Sequence, residues 1–180
     1  MRAILPAGRP LLSRSAVEQM LRRAKVTATV AILGIRGYYR DTMGKPGTND
    51  RGIYDDAIFV LSPSAFVAFN ANVDPSTFRP GIAVLQPGVW QYRLGIHGLS
   101  KPAAKRYKAL VQADPVTVWR DDLGDDTGMF GINIHRGSNR TTSSLGCQTL
   151  PPPQWPAFIN LVESELKRAA QKIVPYVLTE

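Results

Sequence analysis

The chain holds a single cysteine, Cys147, and two histidines, His97 and His135. A thiol attacks carbonyl carbon well once a neighbouring base takes its proton or stabilises its thiolate, and imidazole is the side chain best matched to that task near neutral pH. His135 stands twelve positions before Cys147, and the intervening run Arg136-Gly-Ser-Asn-Arg-Thr-Thr-Ser-Ser144-Leu-Gly146 is polar and rich in turn formers. An apolar stretch, Met129-Phe-Gly-Ile-Asn-Ile134, leads into the histidine. A strand over 129–135, a polar loop and a return to the cysteine would bring sulfur and imidazole together, the separated Cys–His pattern of a thiol nucleophile. Gly146 leaves room for substrate, and the N–H groups of Gly146 and Cys147 could hold a developing oxyanion. The competing reading is a small buried hydrophobe. The polar, glycine-containing surroundings of Cys147 argue against it.

Other residues near this pair are candidates for substrate contact. Ser144, Gln148 and Thr149 flank the cysteine, and their polar groups could bond substrate or simply close a turn. Arg136 and Arg140 could pair bidentately with carboxylates or remain solvated loop charges. His97, between Ile96 and Gly98 at the end of an apolar run, could line the cleft and bind a carboxylate, or be a structural histidine bonded to backbone. With only His97, His135 and Cys147 as strong nitrogen or sulfur ligands, no zinc site is expected. Asp121, Asp122, Asp125 and Asp126 lack the spacing of a calcium loop and read as a solvated turn.

The segment Ser144-Leu145-Gly146-Cys147 matches three of the four positions of the Ser/Thr-His-Gly-Cys signature of the L,D-transpeptidase catalytic domain. With His135 as the upstream histidine, the chain resembles that (YkuD-like) family. Leu145 stands where the family has an inner histidine, so any role of that ring is absent. The stretch Ala83-Val-Leu-Gln-Pro87-Gly88-Val-Trp90-Gln-Tyr92 is similar to the family's Pro-Gly-x-Tyr/Phe strand entry, and the likeness runs over residues 53–150. The short loop between His and Cys is closer to a divergent branch found in phage lysis proteins and secreted antibacterial effectors. The resemblance implies a mainly β fold, a sandwich or barrel with a few peripheral helices. It implies Cys147 as nucleophile, His135 as base and the backbone carbonyl of Arg136 or Gly137 as the group that orients the ring. It further implies a peptidase that cleaves bacterial peptidoglycan stem peptides next to diaminopimelate through a thioester, without a cofactor. Transpeptidation to an amine and a secreted effector role are alternatives within the family. An inactive wall-binding or virion structural protein is the alternative from another class.

A length of 180 residues fits one catalytic domain, here expected over 26–180 and in monomeric form, after a basic segment over 1–25. One cysteine excludes an intrachain disulfide, and no apolar run approaches the ~20 residues of a membrane span. The first residues lack the apolar core of a secretory signal, so release from a host cytoplasm by a holin or a secretion machine is expected before the enzyme reaches the periplasm. Of the net charge of +8, most sits in residues 1–45, where nine Lys and Arg face only Glu18 and Asp41. That end could attract wall polymers, anionic envelope lipids or nucleic acid, or be a solvated face. Nucleic acid is not expected, because stacking aromatics do not interleave the basic residues.

Ser15-Ala-Val-Glu18 reads as a capping box opening a short helix that ends in Arg22, Arg23 and Lys25. Strands are expected over 26–33, 57–61, 66–70, 82–85, 89–94, 116–119 and 129–135, from β-branched and alternating apolar residues. A helix is expected over 102–113. A second should start near Pro156, carry Phe158, Ile159, Leu161, Val162, Leu166 and Ala169, and be stopped by Pro175 before a last strand over 176–178.

Overall fold

The computed structural model describes residues 3–180; Met1 and Arg2, the latter one of the nine basic residues near the start, lie outside the described residues. The protein is mainly β, with two helices. The chain runs through α1 (Arg14–Arg23), β1 (Ala31–Ile35), β2 (Asp56–Leu61), β3 (Phe66–Ala71), β4 (Ala83–Leu85) and β5 (Gly88–His97). It continues through β6 (Tyr107–Gln112), β7 (Val116–Arg120), β8 (Gly124–Gly128), β9 (Ile134–Arg136), β10 (Gln148–Leu150), α2 (Trp155–Arg168) and β11 (Ile173–Thr179). Eight strands form one sheet in the order β10-β9-β6-β5-β11-β1-β2-β3, and β4, β7 and β8 form a second, three-stranded sheet. Just past β3, Asn72 pairs with Thr149 of β10 through two backbone hydrogen bonds of 2.9 and 2.8 Å. The two edges of the large sheet therefore meet, and the sheet is a nearly closed barrel.

β1 and β2 are apolar on both faces because both faces are covered. Ile32, Ile58, Val60 and Phe69 point into a large core shared with Phe158, Ile159, Val162 and Leu166 of α2. Ala31, Leu33, Ala57 and Phe59 point the other way, into a smaller core closed by Val17 and Leu21 of α1. The basic N-terminal helix is thus packed onto the barrel. Several cations of residues 1–45 are engaged internally: Arg9, ahead of the helix, bonds Ala68 C=O at 2.9 Å and lies over Phe69, Arg14 in it bonds Glu18 and Ser62 C=O, and Arg36, after β1, is buried in an ion pair of 3.1 Å with Asp74.

Four expectations need correction. The cap of α1 is Ser13, whose Oγ accepts from Ala16 N–H at 3.1 Å, while Glu18 pairs with Arg14 instead of closing a capping box. The first strand begins at Ala31 rather than Val26, because Lys25 turns left-handed (φ 59°) and Val26 N–H is used on Leu21 C=O at the helix end. The helix expected over 102–113 is one 3-10 turn at Ala103–Lys105 followed by β6. The Ala- and Lys-rich run favours helix locally, but the long strand β5 offers it a ladder from Tyr92↔Gln112 to His97↔Tyr107, and pairing outweighs propensity. Finally, Pro175 lies inside β11, and α2 has already ended at a left-handed Ala170 (φ 48°). Gln91 C=O accepts from Ala113 N–H on the β6 side, so the facing Pro175 directs its missing N–H away from β5, one residue before pairing with β1 begins at Tyr176.

One close approach joins the barrel wall to the segment that carries Cys147. The phenol end of Tyr176 covers Gly34, where any Cβ would overlap its hydroxyl, and that hydroxyl is 3.2 Å from Gln148 Oε1. Gly34→Ala must displace Tyr176 and should cost about 1–3 kcal/mol, the usual range for overpacking. Urea unfolding measures it, and an unchanged midpoint would refute the contact.

Candidate active site

β9 and β10 are parallel, with Ile134 opposite Gln148 and His135 opposite Thr149. Cys147 therefore sits one step before β10, beside Asn133, which sits one step before β9. The connection between the two strands is anchored at both ends. Gly137 N–H donates to Leu150 C=O at 2.8 Å, and the Tyr54 hydroxyl both accepts from Ser138 N–H and donates to Ser138 C=O. A side chain at Gly137 would overlap Tyr54 Oη, which is why glycine stands there. Near the cysteine, Ser76 exchanges backbone and hydroxyl bonds with Ser144, and its Oγ is 2.7 Å from Thr142 Oγ1.

The turn onto the sulfur is closed by Ser144, which is 1% exposed. Its Oγ accepts from Gly146 N–H at 3.0 Å and donates to Cys147 C=O at 2.7 Å. Gly146 has φ +122°, and a Cβ there would come 2.6 Å from Ala83 C=O, so this residue has to be glycine. Gln148 is buried as well, donating to Gly146 C=O at 3.2 Å, and Thr149 is buried in the β10 ladder. Ser144 and Gln148 close the turn, and Thr149 is buried with its Oγ1 unpartnered among the described residues. Of the two N–H groups assigned to the oxyanion, that of Gly146 is occupied. The Cys147 N–H has no acceptor among the described residues.

The segment expected as a strand over 129–135 is strand only from Ile134 onward. Gln112, at the end of β6, gathers its backbone: Phe130, Gly131 and Ile132 all donate N–H to Gln112 Oε1, at 3.2, 3.0 and 3.1 Å. This side chain replaces a ladder and aims the segment at the cysteine. Asn133 N–H lies 3.4 Å from Cys147 Sγ, and Sγ lies 3.5 Å from Gly131 C=O.

His135 is 4% exposed. Its Nδ1 is 2.8 Å from Arg136 C=O, and a carbonyl can only accept, so Nδ1 carries the proton. The Tyr107 hydroxyl lies 3.2 Å from the same nitrogen and from the same carbonyl. Of the two carbonyls considered for orienting the ring, it is that of Arg136 that does so. Nε2 keeps its lone pair and has no partner among the described residues. The second histidine, at the end of β5, stacks on the first with ring centroids 4.0 Å apart and 23° between planes. Burial foremost, then the neighbouring His97, push His135 down to about 4, while burial pushes the Cys147 thiol up. The resting pair is a neutral thiol and a neutral imidazole. No hydrogen bond joins them among the described residues, but both line one cleft of about 700 Å³, together with His97, Tyr107, Asn133 and Leu145.

Arg136 and Gly137 line this cleft, with the Arg136 guanidinium over the Tyr107 ring at 4.9 Å. Arg140 is exposed on the loop and does not line it. Sequence alone does not single out Tyr107, Gln112 or Asn133. Tyr107 and Gln112 fall in the run expected as helix, and no local pattern marks a residue whose partners at the site lie from 14 to 36 positions away. No family model, no curated protein and no solved structure matches the chain.

A neutral pair makes a definite pH signature. Alkylation of Cys147 by iodoacetamide should climb steadily with pH through 9 as thiolate forms, and His135→Ala should lower the rate at pH 7–8 by removing base assistance. A flat rate between pH 5 and 8 would reveal a preformed thiolate–imidazolium pair and refute this assignment.

Proposed function

We propose that the protein is a cysteine acyl-transfer enzyme that hydrolyses peptide bonds of peptidoglycan stem peptides. The observation that carries the proposal is the meeting of Cys147 with His135 in one cleft, the imidazole held in the tautomer that leaves Nε2 free to take a proton. Sγ attacks the carbonyl carbon as its proton passes to Nε2. The tetrahedral intermediate expels the amine, which takes that proton, and leaves a thioester; water then restores the thiol and releases a carboxylate.

The lining supports an anionic substrate. Its ionisable cations are Lys101, Lys105 and Arg136, and it contains no carboxylate. Stem peptides carry free carboxylates next to the bond to be cut, and such a rim would draw them in. The half-buried sulfur at an open cleft leaves water access to the thioester, which favours hydrolysis over transfer to a second peptide.

Purified muropeptides incubated with the protein should split into two fragments whose masses sum to the substrate plus one water, seen by mass spectrometry. Cys147→Ala should abolish the change and leave the melting temperature close to that of the wild type, because a half-buried thiol packs little surface. Two peptides joined with loss of an amine would mean transpeptidation instead. Stripped Gram-negative cells that bind the protein and keep their turbidity would mean a silent wall-binding protein.

A further inference from the structure

The oxyanion of a thiol acylation needs donors, and the backbone at the sulfur supplies fewer than the sequence suggests. Gly146 N–H is held by Ser144 Oγ, leaving the Cys147 N–H as the one backbone donor of that pair still free among the described residues. One donor is a weak oxyanion site, since each typically contributes roughly 10²–10³ in rate. A second has to come from a side chain on the cleft wall.

Asn133 identifies it. Gln112 N–H donates to Asn133 Oδ1 at 3.1 Å, which fixes the orientation of the amide. The other end, Asn133 Nδ2, lies 3.4 Å from His97 Nδ1. An amide nitrogen only donates, so His97 Nδ1 accepts and the ring proton sits on Nε2. The two stacked histidines thus carry opposite tautomers: His135 presents a bare Nε2, His97 an Nε2–H. Two imidazolium ions 4.0 Å apart would repel, and burial with Lys101 nearby pushes His97 down from its ordinary value, so the ring is a neutral donor. That N–H has no acceptor among the described residues, and His97 lines the same cleft as the sulfur.

We propose that His97 Nε2–H is the second oxyanion donor, acting with the Cys147 N–H on the carbonyl oxygen of the acyl substrate. The inference rests on the acyl-transfer reading but not on peptidoglycan as substrate. As Sγ bonds to carbon, the carbonyl π pair moves onto oxygen between the two N–H groups, while His135 Nε2 takes the thiol proton. Collapse of the intermediate returns the pair and expels the leaving group.

Two small electrophiles separate this role from a structural one. Iodoacetamide reacts at saturated carbon and builds no oxyanion; p-nitrophenyl acetate acylates the thiol and does. With the full chain, His97→Ala should slow the p-nitrophenolate burst roughly 10²-fold. Alkylation at pH 8 should not fall with it, because iodoacetamide needs no oxyanion and losing the stacked His97 removes one of the causes that push His135 down. His97→Gln, which keeps an N–H donor, should recover part of the burst, and His97→Leu, of similar bulk without a donor, should not; this pair carries the contrast if the alanine variant is unstable. Acylation and alkylation falling together would make His97 a support of His135, and an unchanged burst would remove it from the chemistry; either overturns the proposal. A wild-type thiol that alkylates but is never acylated overturns it along with acyl transfer itself. Acylation by the ester without muropeptide cleavage overturns only the choice of substrate.

Discussion

The short backbone bridge between Asn72 and Thr149 is the contact on which the site depends. β10 has three residues and too little ladder of its own to hold the neighbouring Cys147 still. It is fixed because β9 pairs with it on one side and Asn72 on the other, so the seam that closes the barrel also holds Thr149, two residues after Cys147. Gln148 and Thr149 leave opposite faces of β10, and both are buried. A strand covered on both sides buries its side chains, and Gln148 spends its amide between Tyr176 and Gly146.

Around this seam the chain uses side chains where regular structure would leave gaps. Gln112 substitutes for a strand partner over 130–132, Ser144 stitches the turn at the cysteine, and Tyr54 and Ser76 tie down the loop between them. Each bond is buried or half-buried, where losing a partner leaves an unsatisfied group that costs about 1–3 kcal/mol. The arrangement therefore resists small displacements at the cleft, a requirement for chemistry that depends on fractions of an ångström.

How much of the fold and the site is legible in the sequence depends on distance along the chain. Strands at 57–61, 66–70 and 116–119 stand out because β-branched and aromatic residues crowd there, and they match β2, β3 and β7 to within a residue at either end. The Cys147–His135 pairing is legible because a polar, glycine-rich run after an apolar approach makes a loop, and a loop that short returns the thiol close to the strand it left. The run 102–113 misleads, since Ala103, Ala104 and Lys105 favour helix and nothing local announces the β5 edge that recruits Tyr107–Gln112. The burial of Ser144, Gln148 and Thr149 is equally hidden. Polar side chains beside the cysteine look substrate-facing until their burial and, for Ser144 and Gln148, partners such as Gly146 and Tyr176 are located in space.

The protonated state of Cys147 bears on how long the protein survives. Peroxide and other oxidants attack thiolate far faster than thiol, and the first product, a sulfenic acid, leads on to irreversible acids when no second cysteine can trap it. This chain has no second cysteine. Burial that disfavours the negative charge also withholds the reactive form of the sulfur from oxidants, so the same desolvation that raises the thiol protects it.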